Sequence, residues 1–249
     1  MQAQYLASIV YYQKGSEARE GILDSGNVLI FTSQLRLGRS YLALRRLDEA
    51  EPLFKSAIAG LSRVAPAGPD LGLGLRFLRE LYMASGQMDE EVAASRREME
   101  FHEKNSGNNA EALLRSKILL NTVLFRQARQ LSGKNNYLDA ERALIEAIKL
   151  LDPPQSGAEK YLGVSLEELG VLYDKLSRYA EAEPLMLRGL EFRTRFSEPS
   201  DPNLPILLFN LATLYQNWGK PEASIPYATQ AISKFEQAKT ENSTLVDRI

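Results

Sequence analysis

The side chains with the most chemical potential in this chain are arginines, joined by a smaller set of carboxylates, amides and rings. Arg36, Arg39, Arg76, Arg126 and Arg129 come first; Glu167, Glu168 and Asp174 follow, then Asn210, Gln216 and Asn217. Guanidinium forks suit carboxylates, and side-chain amides can bond the backbone of an extended peptide. Phe125 and Phe209 offer apolar anchors. The plainer reading is that Arg126 or Arg129 pairs with a nearby Glu on a solvated helix.

Catalytic and metal chemistry find little support. With no Cys, disulfides, thiol catalysis and thiolate metal sites are impossible. One histidine, His102, excludes any site needing two imidazoles and reads as a solvated side chain among Glu100, Glu103 and Lys104. Glu90-Glu91 and Glu181/Glu183 read as solvated helix charge, and Ser165 and Lys160 have no base-and-orienter context. Gly72 and Gly74 do not follow a strand, so phosphate cradling is not expected. No cofactor, no metal site and no enzymatic activity are expected.

The chain has 249 residues, 44% hydrophobic and 25% charged, the proportions of an ordinary globular protein. Lys and Arg total 30 against 32 Asp and Glu, for a net charge of −2, which offers a nucleic acid no basic surplus. No apolar run approaches the ~18 residues that cross a bilayer, so membrane insertion is not expected. Met1 to Tyr12 lacks the basic start and cleavage site of a signal peptide. The cytoplasm is therefore the default location, with an exported bacterial protein as the alternative.

The elements that must position these residues recur. Leu166-Glu167-Glu168-Leu169-Gly170-Val171-Leu172-Tyr173 and Leu208-Phe209-Asn210-Leu211-Ala212-Thr213-Leu214-Tyr215 share a pattern 42 residues apart, as do Ala140 with Ala182 and Pro184 with Pro226. Leu37-Gly38-x-x-Tyr41 and Leu78-Arg79-x-x-Tyr82 lie 41 apart, while Tyr82 and its counterpart Leu131 are 49 apart. Five units begin near Phe31, Gly72, Asn121, Gly163 and Pro205, with extra residues forming a flexible loop around 105–109.

Each unit reads as two helices. Leu166, Leu169, Gly170 and Tyr173 share one helical face, a turn follows at Ser177-Arg178, and a second periodic run covers Tyr179 to Phe196. Gly38, Ala128, Gly170 and Ala212 occupy one first-helix position; Ala57, Ala147, Gly189 and Ala231 occupy one second-helix position. Small side chains there allow helices to cross closely, which explains Gly despite its cost of roughly 1 kcal/mol. Pro52, Pro184 and Pro226 fall early in the second helices, where unpaired first-turn N–H groups would tolerate them. The chain is expected to be all-α.

The spacing Leu-Gly-x-x-Tyr, turn, Tyr-x-x-Ala-Glu resembles tetratricopeptide repeats. The 42-residue period and the blocks Glu49-Ala50-Glu51-Pro52-Leu53 and Glu181-Ala182-Glu183-Pro184-Leu185 are similar to the long-period subtype of kinesin light chains. The second unit departs, with Arg79, Glu91 and Glu98 where small residues belong, so its second helix is expected to be displaced or to face a partner. The resemblance implies a right-handed α-solenoid of antiparallel helix pairs. Five pairs are expected over 31–70, 72–104, 121–152, 163–196 and 205–238 within 27–240, with a capping helix over 1–26 and a polar, fraying tail over 241–249.

A stacked solenoid has a concave surface lined by its first helices. The stripe beside the core positions is Leu35, Arg39 and Leu42, then Arg76, Glu80 and Met83, then Phe125, Arg129 and Ser132. It continues with Glu167, Val171 and Asp174, then Phe209, Thr213 and Gln216; the adjacent position adds Arg36, Arg126, Glu168 and Asn210. The expected groove is thus Arg36, Arg39, Arg76, Phe125, Arg126, Arg129, Glu167, Asp174, Phe209, Asn210, Thr213 and Asn217. The Lys/Asn clamp with which some relatives hold a terminal carboxylate is replaced here by Arg, Glu and Phe. The expected function is a non-catalytic adaptor binding a peptide or protein segment. The alternatives are a self-associating scaffold, hence a homo-oligomer, or a peptide-sensing regulatory domain.

Overall fold

The computed structural model describes residues 6, 9–15, 18, 23, 26–105, 107, 109–196 and 201–246, and among them holds helices and turns but no strand. The helices are α1 (Val28–Ala43), α2 (Leu47–Val64), α3 (Pro69–Ser85), α4 (Met88–Lys104) and α5 (Ala110–Gly133). Then follow α6 (Tyr137–Leu151), α7 (Glu159–Lys175), α8 (Tyr179–Phe196), α9 (Leu204–Asn217) and α10 (Pro221–Val246). Their contacts divide into two compact units, Met1–Val123 and Leu124–Ile249. The fold is all-α, and consecutive helices pack side by side from α1 to α4 and again from α6 to α10.

One turn design joins all five helix pairs. The N–H of Arg46 reaches back to the carbonyl of Tyr41, and the same six-residue closure joins Gln87 to Tyr82, Asn136 to Leu131, Arg178 to Tyr173 and Lys220 to Tyr215. The residue before each donor is left-handed: Arg45, Gly86, Asn135, Ser177 and Gly219 have φ between 58 and 74°. This is a Schellman closure, in which glycine is the unstrained choice and only two turns have it.

In three of the pairs an aromatic side chain meets a glycine where the two helices cross. A β-carbon on Gly60 of α2 would overlap the ring of Phe31 on α1. In the next pair the partners trade helices, and a β-carbon on Gly72 of α3 would stand 2.7 Å from the Phe101 ring on α4. Gly163 on α7 faces Phe192 on α8 in that second sense. One helix or the other must give up its side chain for the axes to approach.

The second pair replaces small residues by charge. Arg79 and Glu98, both buried, meet across α3 and α4 with Nε donating to Oε2 at 2.9 Å. Contrary to the expectation of a displaced or partner-facing helix, the two large side chains satisfy each other in the space that small ones occupy elsewhere. A buried charge is tolerated when paired and hydrogen-bonded.

Tyrosine hydroxyls tie each pair to the next within the units. Tyr82 donates to Glu51 at 3.1 Å, Tyr173 to Glu141 at 2.8 Å and Tyr215 to Glu183 at 2.7 Å. Leu131, at the same position in α5, has no hydroxyl to give.

Several expectations change. Pro52, Pro184 and Pro226 are each the sixth residue of α2, α8 and α10, past the first turn, so each removes a helical hydrogen bond. The residues added between the second and third units largely lengthen a helix: α5 has 24 residues, against 14 to 17 for the other first helices. Of the expected loop, Ser106 and Asn108 lie outside the described residues. α10 runs to Val246, through positions read as tail, because no Pro or Gly interrupts it after Pro226. Of the segment 1–26, residues 9–15 are helical; Ile9 is buried in the core of the N-terminal unit, and Gln13 donates to the Tyr41 hydroxyl.

Candidate functional site

In the N-terminal unit, α1 presents Arg36 and Arg39 and α3 presents Arg76, all exposed. Two of them converge on one ring. The guanidinium carbon of Arg39 lies 5.2 Å from the centroid of Phe77, and that of Arg76 lies 5.5 Å from it. Phe77 is itself buried, 5% exposed, so the platform is fixed by the core. Stacking fixes the guanidinium planes while leaving their N–H edges to solvent. Glu80 is 3.6 Å from Arg76 one turn on, an exposed pairing worth little.

Arg76 also lines a cleft of about 670 Å3 with Leu73 of α3, Phe101 and His102 of α4, and Arg115 and Leu119 of α5. His102 is half-buried, edge-on to Phe101 at 5.3 Å, rather than solvated as its neighbours in sequence imply. Arg115 pairs with Glu111 on its own helix. The cleft therefore has an apolar floor and a basic rim.

In the C-terminal unit, Phe125 is half-buried with the Arg129 guanidinium 5.8 Å from its centroid, and Arg129 reaches Glu168 at 3.8 Å. Burial holds the Glu168 carboxyl above the ordinary carboxylate range, against the pull of Arg129 and Lys175. Arg126 and Asn210 are half-buried. Asn217 donates its amide to both oxygens of Asp174, at 3.1 and 3.3 Å, and Thr213 donates to the carbonyl of Phe209. Phe209 is 58% exposed.

Glu167 is a correction. Its carboxylate receives two bonds from Arg193 of α8, at 2.8 and 2.7 Å, and Arg193 also holds Asp201 at 2.6 Å. Arg193 is buried and Glu167 half-buried, so Glu167 is a clasp between α7 and α8 and not an open ligand. Burial pushes its carboxyl up, with Arg193 opposing. Leu35, at the equivalent position, is likewise in the core, 2% exposed, against Gly74 of α3. Leu35 is thus covered by the following pair, and Glu167 by Arg193 of its own. Arg76, at the same position, lines the cleft, and Phe209 is exposed.

Phe77, Phe101, Arg115 and Leu119 escaped the sequence reading. The 49-residue interval was the available signal for the cleft, since a displaced spacing leaves room between helices. Phe77 gave none, because a ring beside Arg76 on the core face reads as packing. Among the described residues there is no group of three metal-ligating side chains, and no helix is long and apolar enough to cross a membrane.

The tetratricopeptide repeat family profile matches residues 161–237. That segment carries tetratricopeptide repeats. Among solved structures it is similar to BtubC (BKLC) from P. vanneervenii, at 17% identity and a TM-score of 0.54, over 96% of this chain and 91% of that one. It is also similar to the apo form of RapI, at 14% identity and a TM-score of 0.55, over 86% of this chain and 73% of that one. At these identities the likeness concerns the repeat fold. No curated protein matches the sequence.

Proposed function

We propose that this tetratricopeptide-repeat protein is a non-catalytic interaction adaptor whose N-terminal unit holds an extended, acidic segment of a partner protein. The observation that carries this reading is the pair of exposed guanidinium groups, Arg39 and Arg76, set on the buried Phe77 ring. Two oriented forks at a fixed spacing match carboxylate side chains and lose little rotamer freedom on binding. The neighbouring cleft, with Phe101 and Leu119 on its floor, accepts an apolar side chain from the same segment. Arg36 adds positive charge to the face; Asp174, Thr213 and Asn217, already bonded within the protein, shape the surface rather than grip a ligand.

An array of acidic, neutral and basic peptides tests the reading. The wild type is expected to retain acidic peptides, and an Arg39→Ala/Arg76→Ala variant to release them. Equal retention of basic peptides would overturn it. A scaffold that also self-associates is compatible with this adaptor, and a separate surface bears on that.

A further inference from the structure

We infer that the outer face of α10 is a dimerisation seam for a second copy of this chain. Ile225, Ile232 and Phe235 are 61, 59 and 48% exposed on a helix that otherwise closes the C-terminal unit. With half-buried Ala228 they fall at intervals of three, four and three residues, the a/d spacing of a two-stranded coiled coil.

The repeat shows what this face is for. In the preceding pair the same face of α8 holds the next helix: Glu183 accepts the Tyr215 hydroxyl, and Leu190 lies against Leu204 and Leu208. Ile225 stands where Glu51, Glu141 and Glu183 stand, Ile232 matches Leu190, and Phe235 replaces Arg193. The carboxylate that would accept the tyrosine of a further repeat of this series is thus replaced by hydrocarbon, while the apolar contact surface itself continues. A helix that docks here must be apolar along the same stripe, and α10 meets that requirement itself.

Charge and side-chain shape select a parallel pairing. Antiparallel packing would set Glu222 beside Glu236 of the second copy, whereas parallel packing keeps them apart. β-Branched Ile225 and Ile232 at both a positions favour two parallel strands. A two-fold contact of this kind uses the same patch on both copies and closes on itself. Three large apolar side chains per copy amount to less than the ~800 Å2 a standard interface buries on each partner, so dissociation is expected in about the micromolar range or above.

Sedimentation velocity across a concentration series tests the seam. The wild type should move from one chain mass toward two, and Ile232→Glu should stay at one with an unchanged melting midpoint, because Ile232 is exposed within one chain. The protein has no cysteine, so a single Phe235→Cys substitution gives a clean second readout. In a parallel seam the introduced thiols face each other and oxidise to a cross-linked dimer, whereas Thr194→Cys on α8 does not. A wild type that remains monomeric at every concentration, with no faster cross-linking at 235 than at 194, would overturn the proposal. Cross-linking only when Ile225→Cys and Phe235→Cys chains are mixed would overturn the parallel arrangement.

Discussion

The ring of Phe31 on α1 occupies the space in which a β-carbon of residue 60 on α2 would stand. Gly60→Ala is therefore predicted to lower stability by about 1–3 kcal/mol, the usual cost of overfilling a packed site. Trimming the ring by Phe31→Leu in the same chain should recover part of that loss. The reversed arrangement, Phe31→Gly with Gly60→Phe, copies Gly72 and Phe101 and should fold. Denaturant midpoints decide it, and a neutral Gly60→Ala would contradict the packing described.

The buried Arg79–Glu98 pair makes an opposite kind of prediction. Removing one partner, as in Arg79→Ala, leaves a buried charge unpaired and should cost about 3–5 kcal/mol. Replacing both, by Arg79→Gly and Glu98→Ala, restores the small residues of the other pairs and should cost much less than the single changes sum to. A double-mutant cycle by chemical denaturation measures this; additive losses would show that the pair is not coupled.

How far these features were legible follows from where their causes lie. The all-helical character was readable because local spacing specifies it; the Schellman closures were not, because only two of the five turns carry glycine at the left-handed position. The correction at Glu167 was not readable, because it depends on Arg193 and Asp201 arriving from elsewhere in the chain. The same limit hid the Phe77 platform, which needs Arg39 from a different helix. Arg79 and Glu98 looked like two separate departures from the pattern, and only their meeting across α3 and α4 makes them one complementary change.

The turns carry removable strain. Ser177 sits at φ 58°, where an L-residue is disfavoured by roughly 1–2 kcal/mol and glycine is not. Ser177→Gly should raise stability by up to about 1 kcal/mol, after the added freedom of the unfolded chain is discounted. The same change at Gly86 in reverse, Gly86→Ser, should lower it. Thermal midpoints measured side by side check both signs.

Stability should also decline in strong base. Burial, with the Glu141 carboxylate accepting its proton, pushes the Tyr173 hydroxyl up to about 12. The free phenol titrates near about 10, so over that window the unfolded chain loses a proton that the folded chain keeps. The contribution is fully present below pH ~10 and is lost as pH rises through about 12. Tyr173→Phe should flatten this decline in a denaturation series at rising pH, with burial of Tyr215 beside Glu183 leaving a remainder. An unchanged slope would show that Tyr173 does not carry it.

The adaptor reading is tested most directly by titrating an acidic, extended peptide with an apolar residue against wild type and Arg39→Ala/Arg76→Ala. Binding should be at least tenfold weaker in the variant, or ~1.4 kcal/mol. Added salt should weaken binding to the wild type, and the helical spectrum should be the same in both proteins. Equal affinity in the two proteins, or binding indifferent to salt, would contradict the assignment of the Arg39–Phe77–Arg76 face.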